Sequence, residues 1–158
     1  MHPGRLRRRA PSARILCPAA LAGHQLRFHK HGRDGSGKCD AWFTGAPADW
    51  VHGALYDVCA EDRAQLDRAE DLGRGYQACP VSVAAARGVV RAFTYLALPG
   101  AVVSGLRPFD WYLGYVLAGA RFHGLPADYV AWLAATGTIP DPDPRRSGRH
   151  AQLVSRLF

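Results

Sequence analysis

The sequence predicts an α+β domain built on a small curved sheet, or barrel, with flanking helices. Strand patterns crowd the chain before residue 100 and capped helical patterns come after it. Strands also fail to alternate with crossover helices, as a doubly wound parallel sheet would require. The 158 residues, 48% of them hydrophobic, suit one domain with a single core.

Pro11 and Ser12 separate a basic start, Arg5, Arg7, Arg8 and Arg9, from an apolar stretch over 15–21. Residues 23–30 alternate, with Leu26 and Phe28 on one face and Arg27 and His29 on the other, so period two predicts a strand. Residues 32–37 form a glycine-rich turn, and 50–58 read as a second strand. A helix from Ala60 to about Glu70 opens on Glu61 and Asp62, whose charges suit a helix N-terminus, and stops before Gly73 and Gly75. Two further strands, 76–83 and 89–96, join at a turn around Arg87 and Gly88. Asp110 can cap a helix that runs to about His123 and closes on Gly124, and Pro126 opens a final helix over 127–135. The domain is thus expected over 1–138. Residues 139–158, rich in proline and charge at their start, are expected as an irregular, exposed tail.

Composition excludes several classes. No apolar run reaches the ~18–20 residues that cross a bilayer, and the start lacks a signal-peptide design, so no membrane is expected as a partner and the cytoplasm is the expected location. Cys17, Cys39, Cys59 and Cys79 stand about twenty residues apart with no Cys-x-x-Cys pair, which suits reduced structural thiols rather than zinc or a disulfide framework. The net charge of +7 comes from eighteen arginines and two lysines in a chain rich in Ala, Gly and Pro. Codon bias produces that pattern without a partner. Arginines and aromatics are not interleaved on one face, so nucleic acid is not expected to bind.

Two chemical motifs have plainer rivals. Residues 32–38 match the Gly-x4-Gly-Lys spacing of a phosphate loop, but Cys39 stands where Ser or Thr would hold magnesium, and no helical period comes after it. A glycine-rich loop between strands is the better reading. His29 and His31 share a strand face near His24, yet no third metal ligand is nominated, so solvated histidines and no metal are expected.

The segment Leu66-Asp67-Arg68-Ala69-Glu70 carries more. Glu70 falls where helix gives way to Asp71-Leu-Gly-Arg-Gly-Tyr76, so its carboxylate can leave the helix end for a cleft that glycines let the backbone approach. The ordered set Trp50-Val-His-Gly-Ala-Leu-Tyr56, Leu66-Asp67-x-x-Glu70 and Gly75-Tyr76 resembles the gamma-glutamylcyclotransferase-like family. The bacterial-type loop at 35–40, Phe93-Thr-Tyr95, Tyr112 with Gly119-Ala120, and Gly124-Leu-Pro126 with Tyr129 extend it over roughly 1–135.

The resemblance implies a small α+β barrel and a cyclisation that releases 5-oxoproline from a small gamma-glutamyl compound without a cofactor. It implies Glu70 as general acid/base and Tyr76, Tyr112 and Tyr95 as substrate-binding residues. It also implies a departure. Family members begin with an apolar strand ending Tyr-Gly-Ser-Asn, whose amides hold substrate, whereas Met1-His-Pro-Gly-Arg-Leu-Arg looks like the residues directly after that Asn. The expectation is that Met1 is not the natural start and that the arginine cluster is a helix after that strand. The alternative is a catalytically inactive family-fold protein or binding module lacking the substrate loop.

Overall fold

The computed structural model describes residues 1–157, and strand β1 (Arg14–Ala22) runs into β2 (His24–His31) through Gly23 alone. Gly23 has φ of 68°, which glycine adopts without a Cβ clash, so the chain passes from one sheet to the next within one residue. The larger sheet has the order β4-β1-β5-β6, with β4 (Trp50–Asp57), β5 (Tyr76–Ala85) and β6 (Gly88–Ala97). β2 pairs with β3 (Gly37–Phe43) in the smaller one. All named pairs are antiparallel. β1 pairs with β4 along its length, from Arg14↔Asp57 to Ala22↔Trp50, but meets β5 only at Ala19↔Ala85 and Ala20↔Ala84. The sheets are tied where Asp40 Oδ1 accepts from the Ala97 N–H at 2.8 Å. The result is a curved antiparallel α+β structure, as the patterns predict.

The helices cover this surface. α1 (Pro3–Leu6) is one turn, shorter than the helix expected of the arginine cluster, because a turn over 7–9 carries the chain toward α2. α2 (Ala60–Ala69) buries Leu66 against Leu6, Ala10 and Ala13, with Tyr56, Val58 and Tyr95 around them. α3 (Asp110–Phe122) has two working faces. Leu113 and Ala120 join Phe28 of β2 and Leu133 of α4 (Ala127–Ala134). Trp111 and Tyr115, four residues apart on the same stripe, join Phe109 and take Leu153, Val154 and Leu157 from the C-terminal segment. Among the described residues no helix is long and apolar enough to cross a membrane.

That C-terminal segment corrects the sequence reading. Residues 144–155, expected as irregular tail, form α5 (Pro144–Ser155). Asp143 Oδ1 accepts from the Arg145 and Arg146 N–H groups at 3.0 Å each, and Pro144 fills the first helical position, where a missing N–H costs nothing. His150, Leu153, Val154 and Leu157 then make a stripe at helical spacing against α3. Gly114 is the seat: a Cβ there would come within 2.9 Å of Val154 Cγ1. Two other expectations also change. The apolar stretch at 15–21 lies inside β1, and 37–43, for which the sequence predicts no element, forms β3.

Asp141 anchors α5. Its fully buried carboxylate accepts from Arg146 Nε at 2.7 Å and from Trp111 Nε1 at 2.8 Å. The hydrogen bonds from Arg146 hold its pKa far below the ordinary value. A depressed folded pKa means stability present above the unfolded value, ~3.9, and lost as pH falls through the folded one. Thermal melts from pH 5 to pH 2 should therefore show a falling Tm that Asp141→Asn makes shallower; equal slopes would place the acid sensitivity elsewhere.

Candidate active site

Glu70 ends α2. Its N–H still bonds the Leu66 carbonyl at 2.9 Å, but the next residue, Asp71, turns to φ 57° and Gly73 to φ 83°. Asp tolerates this left-handed region better than most side chains, and glycine adopts it freely. The chain therefore leaves the helix axis directly after Glu70, and its side chain, 17% exposed, points into a cavity of about 590 Å³. Arg9 Nη1 donates to Glu70 Oε1 at 2.5 Å.

Tyr76, Tyr95 and Tyr112 line the same cavity, so the structure brings all four sequence-nominated residues together. Their hydroxyls, however, serve the scaffold. Tyr76, first in β5, donates to the Cys39 carbonyl at 2.6 Å, while Tyr112 of α3 accepts from the Cys39 N–H at 3.1 Å. One residue of β3 is thus held by two walls. Tyr95 of β6 donates to Asp67 Oδ1, which also accepts from Arg63 Nε at 2.8 Å. Burial pushes all three phenol pKa values well up, so the hydroxyls stay protonated and none serves as a base near neutrality. Burial likewise raises the Cys39 thiol to about 11, which leaves it a poor nucleophile.

A measurable consequence concerns Tyr112→Phe. It leaves the Cys39 N–H without its acceptor, which should destabilise the fold by about 1–3 kcal/mol. A thermal melt reads this directly, and an unchanged Tm would mean that another group takes over the bond.

The glycine-rich loop is a closed structure. Lys38 Nζ donates to Asp34 Oδ2 and Ser36 Oγ at 2.7 Å each, the Ser36 N–H donates to Asp34 Oδ1, and the Gly37 N–H bonds the Arg107 carbonyl. It leads into β3, so the helix N-terminus that a phosphate loop requires is not there. The histidines depart from the solvated reading. His24 is buried, with Nδ1 2.7 Å from the Ala22 carbonyl, and His29 Nε2 lies 2.8 Å from Asp40 Oδ2; of the three, His31 alone is exposed. No group of three or more metal-ligating side chains is assembled among the described residues.

Sequence reasoning missed Arg9, which reads only as part of a basic start; it reaches Glu70 across 61 positions of chain, which no local pattern signals. It also missed the pair formed by Tyr56 Oη and His123 Nε2, 2.7 Å apart. Tyr129 enters the sequence reading through the family pattern alone, yet its hydroxyl oxygen is buried on the cavity side of α4 and finds no well-aligned hydrogen-bond partner among the described residues.

Comparison with known proteins agrees with this fold. An uncharacterized protein from Homo sapiens superposes with a TM-score of 0.83 at 25% identity, covering 96% of this chain and 90% of its own. A gamma-glutamyl cyclotransferase gives a TM-score of 0.84 at 22% identity, over 98% of this chain and 92% of its own. YkqA from Bacillus subtilis gives 0.70 at 18% identity, over 86% of this chain and 49% of its own. No curated protein matches the sequence significantly. Residues 50–133, more than half the chain and including Glu70 and all three tyrosines, match the AIG2-like family, and the chain belongs to that family.

Proposed function

We propose that the protein is a gamma-glutamyl cyclotransferase with Glu70 as its acid/base. The observation that carries this is the Glu70 carboxylate, projected from the end of α2 into a tyrosine-walled cavity within the segment that matches the family. The alpha-amine of a gamma-glutamyl compound attacks its own gamma-carbonyl. A ring C–N bond forms, the gamma-amide C–N bond breaks, and 5-oxoproline leaves with a free amine or amino acid. Glu70 takes one proton from the alpha-ammonium and passes it to the departing nitrogen, then takes the second that the ring nitrogen sheds on becoming a lactam N–H, which the released amine picks up. Nucleophile and electrophile are tethered, so the protein has to fold the substrate and carry protons from the attacking to the departing nitrogen. Aromatic walls suit the first task, because Tyr76 and Tyr112 are fixed by their bonds to Cys39 and lose no freedom on binding.

A specific contact favours a second reading. Arg9 occupies Glu70, as it would in a family-fold binding module whose carboxylate is structural. Incubation with gamma-glutamyl dipeptides separates the two. Stoichiometric 5-oxoproline and free amino acid are expected, and binding without product would select the second reading.

A further inference from the structure

Lys30 is carried inward by the alternation of β2, on the face that also holds Leu26 and Phe28, and is only 6% exposed. A buried ammonium ordinarily has a carboxylate beside it. Among the described residues Lys30 has no ion pair and no hydrogen bond from its side chain. Its Nζ lies 4.9 Å from the centre of the Tyr76 ring. Gly75 makes room for it, since a Cβ there would come within 2.6 Å of Nζ. Asp71 is the acid facing this corner, and Arg33 Nη2 already donates to it at 2.5 Å.

The surrounding charge has the same sense. Arg5, Arg9, Lys30, Arg33 and Lys38 line the cavity with three carboxylates, Asp34, Glu70 and Asp71. Each carboxylate is engaged, by Lys38, Arg9 and Arg33 respectively. Among the described residues Lys30 and Arg5 make no direct ion pair, although the charge of Asp71 acts on Lys30 and that of Glu70 on Arg5, and Arg5 sits 4.0 Å above the Tyr115 ring. A cavity with cations beyond its own acids is set to receive an anion.

We propose that Lys30 is a carboxylate anchor for the substrate, binding a carboxylate on the side of the cavity walled by Tyr76. The proposal rests on the cyclotransferase reading for the identity of the ligand. That carboxylate has two possible sources, the alpha-carboxylate of the glutamyl head or the carboxylate of a departing amino acid. In either case binding gives the buried ammonium the charge-assisted hydrogen bond that it lacks.

The test measures calorimetric binding of gamma-glutamyl-alanine and gamma-glutamyl-ethylamine to the unaltered protein and to Lys30→Met, alongside 5-oxoproline release. Met keeps the apolar stem without the charge, and a melt checks that the variant folds; Lys30→Gln serves if it does not. The expected result is a Kd weakened by about 10- to 100-fold. Weakening for both compounds assigns Lys30 to the glutamyl carboxylate, and weakening for the alanine compound alone assigns it to the departing amino acid. Equal affinities of variant and unaltered protein for both compounds, or binding of neither compound by the unaltered protein, overturn the anchor. Product formation with unchanged affinities leaves the cyclotransferase standing without the anchor. Affinity lost in the variant with no product from either protein leaves the anchor standing without the cyclotransferase.

Discussion

Glu70→Gln is expected to lower 5-oxoproline release by about 10²–10⁴-fold, the range typical of a lost acid–base group, while the protein stays folded. Glutamine has the shape of glutamate and keeps an oxygen that can accept from Arg9 Nη1, so the contact at the end of α2 survives as a hydrogen bond to a neutral acceptor. What the amide cannot do is take up the proton of an ammonium and hand it on. Circular dichroism and a melt should therefore match those of the unaltered protein while product release collapses. If more than about a tenth of the activity remains, Glu70 is not the proton carrier. The tyrosines would not take its place, since burial holds their hydroxyls protonated.

The second large effect is on stability. Leu133 of α4 is 1% exposed and packs with Phe28, Leu113 and Ala120, so it joins α4 to β2 and α3 at once. Leu133→Ala removes this link and should cost about 2–5 kcal/mol. For a chain of this size that is a Tm lower by roughly 4–20 °C. Leu133 also lines the cavity, so the space it vacates adds to a volume already open. A drop well under ~1 kcal/mol would show that α4 closes onto the gap, since the cost of such a truncation depends on how far the site collapses.

How much of this was legible in the sequence varies with how local the signal is. The β5–β6 hairpin has β-branched and aromatic runs on either side of Arg87-Gly88, and Gly88 at φ 114° supplies a conformation that other residues resist. α3 stops before Gly124 as read, but Asp110 is its first helical residue rather than its cap: Phe109 is the N-cap and no side chain caps it. β1 was illegible as a strand because Pro18, Ala19, Ala20 and Ala22 blur the alternation that its pairing with β4 then imposes. α5 was hidden by the prolines at 140, 142 and 144. The last of these opens the helix, and Asp143 before it was the missed cue.

At the site, Glu70 was visible because a helix end and a glycine pair coincide there. The ties of Tyr76 and Tyr112 to Cys39 span 37 and 73 positions and exist only once β3 lies between β5 and α3. Lys30 was visible by register, since the alternation that places Leu26 and Phe28 on one face places Lys30 there too; its charge argued against burial.

The brief meeting of β1 with β5 has a mechanical consequence. Two stiff ribbons, β4 with β1 and β5 with β6, are riveted at Ala19–Ala20 against Ala84–Ala85. Tyr76 is eight positions from that rivet along β5, roughly 27 Å at strand rise. Over that lever arm no shared ladder between β1 and β5 resists splaying. The far end is held by side-chain stays instead: Tyr76 on Cys39, Tyr95 on Asp67, and Asp40 on the Ala97 amide. Each stay bridges a strand of one ribbon to a neighbouring strand or helix, and two of them begin at tyrosines that wall Glu70's cavity. The spacing of those walls therefore depends on these three hydrogen bonds together with the apolar packing of Tyr56 and Tyr95 around Leu66, and slackening a stay acts on the shape of the chamber before it acts on the sheet.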